Sequence, residues 1–345
     1  MKNYEKKVIA ILMLTSLVCG SVMGCGSGKE ETASNGEGAS EEPVVLKWQS
    51  WDPASKYQPI IDAYQEANPN VTIEYEQVSD YETKINTEAS GDALPDILSC
   101  KVGNTQMFAE EGILDEIDLE ALKSDSDYNL DDFWETTLDY ASYQGKTYGI
   151  PVDGGNYAWI YNKKMFDQLG IEVPEDGFTW DEFDAVCQQL MDNKETLGIK
   201  HATLINDYGI KTILPYMWQN GVEYTNEDET KCNLADPKTV EAVEYIKSLV
   251  DAGYIPPIEK LDEGSFPIVG MLNSGEIAMG RVALWEALKL EDSETLDYQV
   301  MHAPYGNDGT KGEVLYINTL GIASTSKNKE AAMEFVKYVT SEEGL

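Results

Sequence analysis

Arginine is almost missing: Arg281 is the single one in 345 residues. Anionic ligands are usually gripped by forked guanidinium groups. One arginine therefore argues against phosphate, sulfate or carboxylate as the bound species. Histidine is as scarce, with only His201 and His302, so a multi-histidine zinc centre is not expected. Positive charge is short throughout, because 25 Lys and Arg face 62 Asp and Glu, a formal net charge of −37. Such a chain repels phosphate backbones and anionic lipid heads, and no nucleic-acid partner is expected. There is no long apolar run at the start either. Residues 8–18 are apolar, but a bilayer span needs ~20 such residues.

That short run has its own meaning. Lys2, Lys6 and Lys7 precede it, and Val22, Met23, Gly24 and Cys25 follow. The order is that of a secretory signal, and its end resembles the lipobox of bacterial lipoproteins. Residues 1–24 are thus expected to be a signal peptide and Cys25 to carry the lipid. The lipid would hold the chain on the membrane's outer face at ~0.8 kcal/mol per buried CH₂. Removing a segment of charge +2 leaves −39. The acidity then reads as a solvated surface on a protein working outside the cytoplasm, where nucleotide cofactors are scarce, and no cofactor is expected. Of five cysteines, Cys100, Cys187 and Cys232 remain after Cys19 and Cys25. An odd set indicates no disulfide framework. Cys187 lies on an apolar helical stripe and reads as a small buried hydrophobe.

Residues 25–43 are rich in Gly, Ser and Glu without apolar periodicity. They predict a flexible tether. Strand and helix patterns then alternate. Strands are predicted at 44–51, 71–78 and 96–100. Helices are predicted over the stripe Tyr57, Ile60, Ile61 and Tyr64, over 81–89, and through Met107. This βαβα order implies a mainly parallel sheet covered by helices. A second block follows Pro151, with a strand at 156–162. Thr179 and Glu182 form a capping box ahead of Phe183, Val186, Cys187, Leu190 and Met191. Asp236 and Pro237 start another helix, with Val240, Val243, Ile246 and Leu249 as its buried face and Gly253 at its end. Strands at 298–303 and 320–323 and a helix carrying Ala332, Phe335, Val336 and Val339 complete the pattern. Two α/β blocks suggest two lobes with a cleft between them: 44–152 as the first part of lobe 1, 153–302 as lobe 2, and 303–345 returning to lobe 1.

Several tempting motifs fail. Asp125, Asp127 and Asn129 alternate as in a calcium loop, but Leu130 replaces its glycine and Thr136 its glutamate. The segment 24–29 ends like a phosphate loop without its spacing. No G-x-S-x-G elbow occurs.

The segment GKTYGIPVDGGNYAWIYNKKMFDQLGI beginning at Gly145 resembles family-1 extracellular solute-binding proteins, the substrate receptors of carbohydrate ABC importers. ALPDIL at 93–98, EEGILDEID at 110–118, TWDEF at 179–183, NSGEIAMGRVALWEAL at 273–288 and SKNKEAAMEFVKYVTSEEGL at 326–345 continue the likeness. It covers nearly all of 44–345. The resemblance implies an α/β, two-lobed periplasmic-binding-protein-like (type II) fold with a hinge and an interlobe cleft. It further implies a carbohydrate ligand, ABC permease subunits as partners, membrane contact through the N-terminal lipid, and a monomer that is not an enzyme. Members of that family usually run on for several helices. This chain stops just after Gly344, as a shortened chain or an unusual member would, and the C-terminal part of lobe 2 is expected to be absent.

A sugar presents an apolar C–H face that aromatic rings cover, and hydroxyls that carboxylates and amides meet. Twenty Tyr and seven Trp supply rings. Trp51 and Asp52 end the first strand, facing the expected cleft. Asn104 follows the third strand, as a ligand contact or a helix cap. Asp153, Asn156 and Tyr157 fall at the crossing between lobes, beside Gly154 and Gly155. Trp218 and Asn220 bound a loop of the second lobe, Trp285 is the foremost stacking residue with Glu286 beside it, and Tyr316 and Asn318 lie on the return. Trp48, Trp134 and Trp159 are assigned to core, and Trp180 to a helix start. Two other readings stay open: the same scaffold taking a polyamine, and a surface glycosidase using two carboxylates.

Overall fold

The computed structural model describes residues 43–101, 103–126, 128–205, 209–226, 230–257, 268–290 and 297–344. The signal, Cys25, all but the last residue of the tether, and Asp127 lie outside the described residues.

The chain opens with β1 (Val44–Ser50), α1 (Ala54–Ala67), β2 (Val71–Gln77), α2 (Tyr81–Ser90), β3 (Ile97–Cys100) and α3 (Asn104–Glu110). Short helices α4 (Leu119–Lys123) and α5 (Glu135–Tyr140) and the ribbon β4 (Ser142–Tyr143) and β5 (Lys146–Thr147) lead to the long strand β6 (Ile150–Asn162). Next come α6 (Lys163–Leu169), α7 (Trp180–Asp192), α8 (Lys194–Leu197), β7 (His201–Leu204), α9 (Ile210–Gln219) and α10 (Pro237–Asp251). The last are α11 (Ile268–Asn273), β8 (Ile277–Ala283), α12 (Leu284–Ala287), β9 (Tyr298–Met301), β10 (Leu315–Ile322) and α13 (Lys329–Val339).

Among the described residues, eight strands share one sheet in the order β2-β1-β3-β10-β6-β8-β7, with β9 also on β6. β1 runs parallel to β2 and β3, as the βαβα pattern predicts. The sheet as a whole is mixed rather than mainly parallel. β10 is antiparallel to both β3 and β6, and β6 is antiparallel to β8. The reason is β6, which crosses from one half of the sheet to the other. β10 returns alongside it in the opposite sense.

Each half has its own core. Trp48, Tyr57, Ile61, Tyr64 and Phe335 fill one, where α1 and α13 cover β1. Trp159, Phe183, Cys187, Leu190 and Met279 fill the other beneath α7. The Thr179–Glu182 capping box closes in both directions, and Cys187 is buried as expected. Asp96 ties the first half together, accepting from Lys47 N at 2.9 Å and from Ser326 Oγ at 2.6 Å. The segment before β10 stays with the second core, as Tyr305 bridges Thr179 and Val314 meets Tyr157 and Ala283.

Two packing expectations are corrected. On α10 the buried face is Thr239, Ala242, Ile246 and Leu249, while Val240 and Val243 are 46% and 42% exposed. The expected stripe advanced by threes, and at ~100° per residue nine positions turn Val240 to the side opposite Leu249. Trp134, assigned to core, is 75% exposed. It precedes the short helix α5, and its carbonyl accepts from Thr137 Oγ1 at 2.7 Å. No apolar period brings its ring inward.

Candidate functional site

β1 leads into Trp51 and Asp52, β3 leads toward Asn104, and β6 and β10 run side by side with Asn318 opposite Asp153 and Tyr316 opposite Gly155. These ends converge on a cavity of about 770 Å³, within the ~300–1,000 Å³ of small-ligand sites. Seven of the expected residues line it: Trp51, Asp52, Asn104, Asp153, Trp285, Tyr316 and Asn318.

The polar side is built around Lys56. Its ammonium lies 2.7 Å from Asp52 Oδ2 and 2.7 Å from Asp153 Oδ2. Tyr57 OH donates to Asp52 Oδ2 at 3.1 Å, and Asn318 Nδ2 donates to Asp153 Oδ1 at 2.5 Å. Burial alone pulls Lys56 down, but the hydrogen bonds to Asp153 and Asp52 outweigh it and hold the lysine well above its ordinary value. Both carboxylates are thus fixed before any ligand arrives. Farther along, Lys101 pairs with Glu82 at 3.0 Å and stands 4.9 Å from the Trp51 ring centroid. Asn104 Nδ2 reaches Glu82 Oε1 at 3.5 Å. The cap of α3 is Gly103 at φ +84°, so Asn104 is the first helical residue rather than the cap.

The apolar side is a corner of rings. Trp285 is 44% exposed, and Tyr316 meets it edge-on at 5.5 Å and 82°. Gly154 allows the strands to close there. A Cβ on it would come within 2.8 Å of the Tyr316 carbonyl oxygen, a contact only glycine avoids.

Five expected residues are not brought to the cavity wall. Tyr157 is buried behind it, its hydroxyl 2.9 Å from that of Tyr316. Trp218 belongs to the cluster around Tyr157, Ala283 and Val314. Asn156 is exposed on β6 beside Leu315. Asn220 caps α9 and donates to Lys238 O at 2.7 Å, tying α9 to α10. Glu286 turns inward and is 1% exposed.

Sequence reasoning missed Lys56, Glu82, Lys101, Lys211 and Leu284, which also line the cavity. Lys56 had a signal: it stands four residues after Asp52, one helical turn away. Glu82 comes from α2 and Lys211 from α9, Lys101 follows β3, and Leu284 precedes Trp285 on α12; no local pattern marks them. Among the described residues, no group of three or more His, Cys, Asp or Glu is placed to hold a metal ion. No helix there is long and apolar enough to cross a membrane.

Two cores joined through β6 and β10, with a cavity between them, define a two-lobed α/β fold of the periplasmic-binding-protein type. Over residues 49–345 the chain matches the bacterial extracellular solute-binding protein family, and it belongs to that family. It is similar to a binding protein of Brucella abortus, 26% identical over 293 residues, which is 82% of this chain and 68% of that one. The maltotriose-binding protein of Pyrococcus abyssi is 26% identical over 92% of this chain and 63% of its own length. Among solved structures, an ABC substrate-binding protein of Listeria monocytogenes in complex with cycloalternan superposes with a TM-score of 0.76. It is 24% identical over 87% of this chain and 76% of its own.

Proposed function

We propose that this chain captures a neutral sugar or oligosaccharide in the cavity and delivers it to an ABC importer as a binder, not an enzyme. The observation that carries this reading is the pairing of walls. An exposed Trp285 with Tyr316 offers a C–H-stacking corner, and Asp153 with Asn318 offers acceptors and donors to hydroxyls. The relatives' maltotriose and cycloalternan support it. Closure is a hinge motion about β6 and β10, the two strands that cross between the cores. The protein acts as a monomer, without cofactor, held by a lipid on Cys25 to the outer face of the cell membrane, next to the permease subunits that receive the sugar.

A polyamine fits this cavity poorly. Asp52 and Asp153 are already engaged by Lys56 and Glu82 by Lys101, and Lys211 adds a further positive charge to the wall. A thermal-shift panel of mono- and oligosaccharides beside spermidine tests the proposal, since a ligand that binds only the folded state raises its melting temperature. A rise with a neutral sugar is expected. A rise with spermidine alone would refute the sugar reading.

A further inference from the structure

Arg281 lies on β8 with 1% of its surface exposed. The chain uses lysine for every other such charge, 24 of 25, so this position has a requirement that lysine does not meet. The surroundings show what it is. Arg281 donates to Glu313 through two nitrogens, Nε to Oε2 at 3.0 Å and Nη2 to Oε1 at 2.5 Å. Its Cζ stands 3.5 Å from the centroid of the Tyr157 ring. A planar guanidinium can stack on a ring and fork onto a carboxylate together; an ammonium cannot. Glu313 also accepts from the backbone N–H of Val314 at 2.7 Å, immediately before β10 begins.

The ring that Arg281 supports is the one behind the aromatic corner. Tyr157 and Tyr316 share a hydroxyl–hydroxyl bond of 2.9 Å. Tyr157 also meets Trp285 at 6.0 Å between centroids. A flat charged pair therefore sits under one tyrosine, and that tyrosine touches both cavity rings.

We infer that Arg281 is a positioning residue for ligand capture: with Glu313 it fixes Tyr157, and through it Tyr316 and Trp285, in place before a sugar arrives. Pre-organising a stacking surface raises affinity by removing its ordering cost from the binding step. The inference rests on the sugar reading for its purpose, but the positioning itself can be measured without any sugar.

The test compares wild type with Arg281→Met, Arg281→Lys and Tyr157→Phe, with Trp180→Ala as a destabilised control in the second core. Each is also made with Trp285→Phe, so that the near-ultraviolet circular dichroism of Trp285 is obtained by difference in sugar-free protein. Calorimetry with maltotriose and with diacetylchitobiose, and melting curves, accompany the spectra. Arg281→Met is expected to stay folded, to alter the Trp285 spectrum, and to lose tenfold or more in affinity. Arg281→Lys keeps the charge but not the plane and is expected to fall in the same direction. Tyr157→Phe should shift both readouts less, and Trp180→Ala neither. If Arg281→Met fails to fold, Arg281→Lys and Tyr157→Phe decide. A folded arginine variant with the wild-type Trp285 spectrum and affinity, merely melting lower like Trp180→Ala, would overturn the assignment. If wild type binds neither sugar nor any other in the panel, the sugar reading fails alone and the Trp285 spectrum still judges Arg281.

Discussion

Lys56 and Asp153 are joined at 2.7 Å, an ion pair that links the first helix to the strand crossing between the two cores. Lys56 is 97 positions earlier in the chain, so the contact exists only in the folded protein. Asp153 enters any ligand complex with one oxygen on Lys56 and the other on Asn318. The pair is partly exposed, and such pairs contribute only ~0–1 kcal/mol to stability. Its value lies in aiming the carboxylate. Lys56→Met is expected to lower the melting temperature by no more than a few degrees while weakening sugar binding about tenfold, or ~1.4 kcal/mol. Calorimetry and melting on one preparation check this. Intact affinity in the variant would show that Asp153 needs no aiming.

Exposed Trp285 and buried Trp180 should separate. Trp285→Ala removes an exposed stacking face and is expected to cost on the order of 2 kcal/mol of binding, about thirtyfold. Trp180 stacks on Tyr245 at 4.3 Å and 6° and donates to Gln219 Oε1 at 2.8 Å. Its alanine variant should lose ~3–5 kcal/mol of folding stability with affinity nearly intact. The reverse pattern, with a stable Trp180→Ala that cannot bind and a normal Trp285→Ala, would place the site elsewhere.

Glu286 makes stability depend on pH. It is buried, and among the described residues neither carboxylate oxygen has a close hydrogen-bond partner. Burial raises its pKa above the ordinary carboxylate value, with the Ala283 backbone and Lys289 pulling the other way. A raised folded pKa means the native state holds its proton longer than the unfolded chain, so this contribution is complete at acid pH and is lost as pH rises through the folded pKa. Glu286→Gln should therefore stabilise the protein at pH 7–8, by something on the order of 1 kcal/mol, and the gain should vanish below about pH 4. Melting curves across pH 3.5–8 measure it. A variant that melts lower than wild type at pH 8 contradicts the argument.

Cys25→Ala should abolish lipid attachment in the bacterial host. Radiolabelled fatty acid still entering the variant would reject the anchor.

Much of this was legible in the sequence because the signals were local. The Thr179 capping box, the stripe from Phe183 to Leu190 and the short strand into Cys100 are read within a few residues of themselves. Trp51 and Asp52 were expected at the cavity because they follow a strand, and Asp153 because it lies at the crossing; all three line it. What was not legible depends on distance in the chain. Glu82 and Lys101 reach the cavity from two different elements, and the antiparallel return of β10 has no trace in any window. Glu286 and Trp285 are neighbours in sequence, yet one faces the core and the other the cavity. Only the short turn of α12 decides which.

Trp285 and Asp153 together should capture an intact neutral sugar reversibly. The most direct measurement is calorimetry of wild type, Trp285→Ala and Asp153→Asn with the oligosaccharide that gives the largest thermal shift, followed by analysis of the recovered sugar. One site per chain, at least tenfold weaker binding in both variants, and a sugar with no new reducing ends are expected. Binding unchanged in both variants, or steady cleavage of the sugar by wild type, would contradict it.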